Sequence, residues 1–120
     1  MILADTSVWI NHLRRGEAAL ADALRSEQVY LHPFVLGELA CGNLRNRREL
    51  LELLGRLPLA IVATDVEALS FIEHRALMGR GIGYVDVHLL ASTSLTRGSR
   101  LWTHDKRLAH VATYLGLAHS

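Results

Sequence analysis

The chain has 120 residues, half of them hydrophobic and 21% charged, with 13 basic against 12 acidic side chains and a net charge of +1. That is enough chain for one hydrophobic core, too apolar for a disordered tail, and too nearly neutral for bulk electrostatics to argue for nucleic acid or a membrane surface. A single cysteine, Cys41, excludes an intrachain disulfide and a cysteine-based zinc cage. No apolar run approaches the roughly 18–20 residues of a bilayer span, and the opening Met1-Ile2-Leu3-Ala4-Asp5 has no basic segment before an apolar one. A reducing compartment, most simply the cytoplasm, is expected. Twelve of the 13 basic residues are Arg, the side chain that pairs bidentately with phosphate or carboxylate.

Short apolar runs alternate with helical patterns. Ile2-Leu3-Ala4 predicts a buried strand, followed by helices from about Thr6 to Leu13 and Glu17 to Arg25. Val29-Tyr30-Leu31 predicts a second strand. Pro33 suits the first turn of a helix running to Cys41, where a missing N–H costs nothing. Leu50, Leu51, Leu54 and Leu57 fall on one face of a helix over 47–57. Leu59 to Val62 predicts a third strand. Thr64-Asp65-Val66-Glu67 fits a capping box that opens a helix to about Met78. After the Gly79–Gly83 loop come a helix from Tyr84 to Leu95, a strand at Leu101-Trp102-Thr103 and a last helix from Asp105 to Leu115. Strands alternating with helices imply an α/β fold with a parallel sheet. With no repeat and no Pro-rich linker, residues 1–120 form one domain.

In open parallel sheets, ligands bind beyond the carboxyl ends of the strands. Asp5 follows the first strand, and Asp105 follows the last. Asp86 stands in the first turn after the glycine loop, and Glu38 lies inside an otherwise apolar helix. Each acid also has a local reading: Asp5 and Asp105 as N-caps, Asp86 in a favourable helix dipole, Glu38 at a helix edge. Gathered together they repel, unless a hard divalent cation neutralises them. Oxygen ligands without cysteine point to Mg²⁺ or Mn²⁺.

Four blocks, Met1 to Ile10, Gly37 to Gly42, Gly83 to Ser92 and Leu101 to Leu108, resemble PIN-domain proteins, in particular the VapC-type toxins of bacterial toxin–antitoxin pairs. The blocks stand in that family's order and span almost the whole chain. The resemblance implies a PIN-like three-layer α/β/α fold with a central parallel sheet of four to five strands. Leu117-Ala118-His119-Ser120 is short for the last of them. It further implies an Mg²⁺-dependent endoribonuclease with its acidic site at Asp5, Glu38, Asp86 and Asp105, a homodimer, and inhibition by a small antitoxin.

The chemistry assigns Asp5 and Asp86 as primary metal ligands, with Asp105 completing the shell or holding a second ion. Glu38 binds a second ion or orients the attacking water. Thr6, Ser7 and Thr103 are expected to support the ligands by hydrogen bonds. His88 and His104 are expected to be hydrogen-bonded surface or core residues rather than proton shuttles. Arg14, Arg15 and Arg80 are candidate RNA contacts, while Arg45, Arg47 and Arg48 read as a solvated face with Glu49 and Glu52. Two other readings compete. One is a phospho-receiver-like Mg²⁺-binding domain using Asp5 and Lys106, which leaves Glu38 without a role. The other is a catalytically silent PIN-like module that binds RNA or protein. With the four acids set aside, 13 basic residues face 8 acidic ones, an excess of five that restores the case for a nucleic-acid partner.

Overall fold

The computed structural model describes residues 1–119; Ser120, the end of the expected last edge strand, lies outside them. In chain order the elements are β1 (Ile2–Ala4), α1 (Thr6–Arg15), α2 (Ala18–Arg25), β2 (Val29–Tyr30), α3 (Pro33–Ala40), α4 (Arg47–Leu54), α5 (Asp65–Arg75), α6 (Tyr84–Leu95), β3 (Arg100–Trp102) and α7 (Lys106–Tyr114). The sheet order is β2-β1-β3, with both pairings parallel. Ile2 pairs with Val29 on one side and Arg100 on the other, and Ala4 lies opposite Trp102.

Among the described residues there are three strands, where four to five were expected. Each outer position is reduced to a single parallel bridge, Leu31 with Leu59 and Leu101 with Ala118. The cause at the first edge is Pro33. It opens α3 directly after His32, so β2 offers no further backbone once Ala60 N–H has reached the Leu31 carbonyl at 2.9 Å. The next amide, Ile61, donates instead to Thr96 Oγ1 at 2.8 Å. Leu59 and Ile61 are left 60% and 54% exposed, so the expected strand over 59–62 is an edge segment with one bridge.

The central strand is apolar on both faces, as a covered parallel strand must be. Leu3 and Ala4 are buried and pack with Leu31, Leu89, Leu90, Leu101 and Leu108 in one core. α6 supplies the longest buried stretch, from Val87 to Thr93. No helix among the described residues is long and apolar enough to cross a membrane.

Caps set the helix ends. Thr64 and Glu67 form the expected capping box, with Thr64 N–H donating to Glu67 Oε1 at 2.9 Å and Glu67 N–H to Thr64 Oγ1 at 3.1 Å. α5 then ends at Arg75 rather than Met78, because Ala76 turns left-handed at φ 53°. α4 stops at Leu54, three residues short of the predicted Leu57, where Gly55 caps it. The N-termini of α1, α6 and α7 follow Asp5, Gly83 and Asp105, so these helix starts carry acids at their openings.

Candidate active site

Asp5 extends the central strand by one hydrogen bond, its N–H donating to the Trp102 carbonyl at 2.8 Å. Its carboxylate therefore stands at the carboxyl edge of the sheet, and only 8% of the residue is exposed. Three donors hold it. Thr6 N–H reaches Oδ1 at 2.8 Å, and the hydroxyls of Ser7 and Thr103 reach Oδ2 at 2.8 and 2.7 Å. Each hydroxyl has one proton and spends it on Asp5, so each is free to accept. Ser7 Oγ accepts the His104 N–H, and Thr103 Oγ1 accepts the Asp105 N–H, both at 3.0 Å. The charged acceptor thus locks the ends of β1 and β3 together.

The other three acids are placed by equally local contacts. Asp86, three residues into α6, accepts the Gly83 N–H on Oδ2 at 3.0 Å. Asp105 caps α7 by accepting the Leu108 N–H on Oδ1 at 2.9 Å. Glu38 is exposed on α3 and accepts the Thr6 hydroxyl on Oε1 at 2.7 Å. These contacts engage one oxygen each of Asp86, Asp105 and Glu38 and leave the other without a protein donor among the described residues.

The four carboxylates share an electrostatic field. Burial pushes the Asp86 carboxyl above its ordinary value, and the charges of Asp5, Asp105 and Glu38 push it the same way, against the Gly83 hydrogen bond. Among the described residues Arg25 pairs with Asp22, and His88 and His104 lie against Asp65 and Glu17, so no basic side chain is in ion-pair contact with the set. Oxygen-only, anionic and uncompensated donors are the chemistry a hard divalent cation requires. No group of three or more His, Cys, Asp or Glu among the described residues is gathered tightly enough to hold an ion as the side chains stand.

The remaining candidates divide. Arg14 and Arg15 end α1 in solvent and line a groove with Ser7 and His104. The Arg80 guanidinium lies 4.5 Å over the Tyr114 ring at the end of α7. Arg107 instead packs against the glycine loop, where a Cβ on Gly81 would meet its Cδ at 3.0 Å. Sequence reasoning missed Arg107, although its place two residues after Asp105 was a usable signal. His88 is buried among the Phe34 and Tyr84 rings, with centroids 4.9 and 4.6 Å away. His104 bonds to Glu17 Oε1, a partner that sequence reasoning also missed because it lies 87 residues away.

Thr103→Val removes one hydroxyl from Asp5 and the acceptor for Asp105 N–H. Loss of such a supporting contact is expected to lower catalysis about 10–100-fold, with a fold cost near 1 kcal/mol. Steady-state kinetics beside urea unfolding checks the split.

The PIN domain family matches residues 2–114 of the chain. The ribonuclease VapC32 of Mycobacterium tuberculosis strain CDC 1551 / Oshkosh is 46% identical over 118 residues, covering 98% of this chain and 95% of its own length. VapC32 of strain ATCC 25618 / H37Rv is similar to the same degree over the same span. With the carboxylates at the carboxyl edge of a parallel sheet, and with a family match over nearly its full length, the chain belongs to the PIN-domain family as a member of VapC type.

Proposed function

We propose that the chain is a divalent-metal-dependent endoribonuclease, the toxin of a toxin–antitoxin pair. One observation carries this reading: four carboxylates from α3 and from the starts of α1, α6 and α7 share one field without a protein counter-ion. The relatives' name, ribonuclease VapC32, supports the activity and the RNA substrate.

Asp5, Asp86 and Asp105 would hold Mg²⁺ or Mn²⁺. A bound ion supplies charge neutralisation at the phosphate and activation of water. Ser7 and Thr103 fix the Asp5 rotamer, so the carboxylate is oriented before substrate arrives. Thr6 does the same for Glu38, which has one oxygen left to accept a proton from the attacking water. The Gly83 and Leu108 amides hold Asp86 and Asp105 from behind.

A small antitoxin and a second copy of the chain are the protein partners in this reading. The apolar cleft of Ile10, Leu13, Leu39 and Leu44 beside Glu38 suits an antitoxin segment. Val66 and Leu69 on α5, 74% and 57% exposed, suit a homodimer contact. The cytoplasm, where RNA and a newly made antitoxin are both at hand, is the setting that follows. The receiver alternative needs a phospho-acceptor Asp after the third strand, where only Asp65 stands; it is the first residue of α5 and accepts the Tyr84 hydroxyl.

The test is cleavage of total cellular RNA by the purified chain. Cutting is expected with Mg²⁺ or Mn²⁺, none with excess EDTA, and recovery on adding the ion back. Undiminished cutting in EDTA contradicts the metal-dependent reading. Tight RNA binding without cutting under any divalent ion returns the silent-module reading.

A further inference from the structure

Beside the carboxylates, α1 and the loop between β3 and α7 enclose an open groove of about 560 Å³, lined by Ser7, Ile10, Asn11, Arg14, Arg15 and His104. Ser7, Asn11 and Arg14 recur at four- and three-residue spacing, which puts them on one face of α1. The stripe begins at Ser7, whose hydroxyl is bonded to Asp5, and Arg14 lies about 10 Å further along the helix. Both arginines are exposed, and neither joins an ion pair among the described residues.

One carboxylate braces the groove. Glu17 Oε1 accepts from Asn11 Nδ2 at 2.6 Å and bonds to His104 Nε2, spanning α1 and the loop. The Glu17 N–H is tied to His12 Nδ1 at 3.0 Å. Asn11 Oδ1 and His104 Nδ1 make no hydrogen bond among the described residues, and Ile10 adds an apolar surface that is 37% exposed. The groove thus has a cationic end and polar groups midway, and its other end is the carboxylate centre.

We infer that this groove is a nucleotide subsite for the single-stranded RNA flanking the scissile phosphate. Arg14 and Arg15 take a neighbouring phosphate; Asn11 and His104 meet the base edge or ribose hydroxyl between. The inference rests on the ribonuclease reading. Arg14 and Ile10 also line the neighbouring Leu13–Leu39–Leu44 cleft, so what favours a polyanion here over an apolar protein segment is the second arginine, Arg15, together with the polar lining of Ser7, Asn11 and His104, where that cleft has leucines.

The test is fluorescence anisotropy with a mixed-sequence single-stranded RNA 20-mer, on the full chain carrying Asp86→Asn in Mg²⁺. Adding Arg14→Gln/Arg15→Gln is expected to weaken binding about tenfold or more and to flatten the slope of log affinity against log salt by about 1.4. Arg25→Gln/Arg75→Gln, an equal charge loss outside the groove, is expected to leave affinity within about twofold. Asn11→Ala is expected to weaken binding about threefold without changing the salt slope, since it removes a neutral contact. Binding indifferent to Arg14 and Arg15, or no binding at all, overturns the subsite. So does a groove variant that binds RNA normally but no longer holds a co-expressed antitoxin. Cleavage by the unmodified chain separates the two claims. Cutting with groove-independent binding overturns the subsite alone; groove-dependent binding without cutting overturns the ribonuclease reading, and with it the place beside a scissile phosphate, and leaves the groove an RNA-binding surface.

Discussion

Asp86→Asn is expected to lower Mg²⁺-dependent RNA cleavage on the order of 10³-fold, the rate equivalent of several kcal/mol of lost charge stabilisation at the phosphate. The same substitution is expected to leave the metal-free chain as stable as before, or more so. The sign follows from the surroundings of Asp86. Its carboxyl is raised above the ordinary value by burial and by Asp5, Asp105 and Glu38, so the folded chain holds that proton more tightly than the unfolded one. Ionised at neutral pH, the group costs folding energy. Asn removes the charge and keeps an oxygen for the Gly83 N–H. Asp5→Asn differs: an amide nitrogen cannot accept the Ser7 and Thr103 hydroxyls that now meet on Oδ2, so it is expected to lose both cleavage and stability. Thermal unfolding in EDTA beside cleavage in Mg²⁺ resolves the two variants. A large loss of metal-free stability in Asp86→Asn contradicts the shared field.

The second large effect is a loss of stability in mild acid. His32 is fully buried and caps α3, with Nδ1 accepting the Phe34 N–H at 3.0 Å and Nε2 lacking a protein partner. Protonation would place a charge in the core and a proton where the cap needs a lone pair. Burial, with a smaller push from His88, lowers the ring from 6.5 to about 4. A depressed histidine binds fewer protons folded than unfolded, so its contribution is complete above about pH 6.5 and is lost as pH falls toward 4. The loss amounts to about 3 kcal/mol between pH 7 and pH 4. His32→Asn keeps an N-cap acceptor without the titration and is expected to flatten that limb. Urea unfolding across the range checks it; parallel pH profiles for the two chains would remove His32 from the account.

The strands and helices that frame the site were legible because each carries its own local signal. Ile2 to Ala4 is a short apolar run, Pro33 opens a helix, and Thr64 with Glu67 marks a cap. The expected third strand failed for a non-local reason. The run Leu59 to Val62 has strand-like side chains, yet pairing requires a partner backbone, and α3 removes it after Leu31. Asp5, Asp86 and Asp105 were legible because each sits at an element end, and Glu38 because it interrupts an otherwise apolar helix. How the site is assembled was only half visible. Thr6, Ser7 and Thr103 are near the acids in sequence, but the pairing of Thr6 with Glu38 spans 32 residues and that of Glu17 with His104 spans 87. No pattern within one helix or strand announces contacts of that range. Arg80, within the glycine loop, was a candidate RNA contact; the fold lays it on Tyr114 and packs Arg107 against the loop.

The most direct measurement is 5′-end sequencing of cellular RNA after induction of the unmodified chain and, separately, of Asp86→Asn. The account predicts discrete new 5′ ends with the unmodified chain and none with the variant at equal protein level. Growth arrest without new ends, or the same ends from Asp86→Asn, would contradict a carboxylate-centred endoribonuclease.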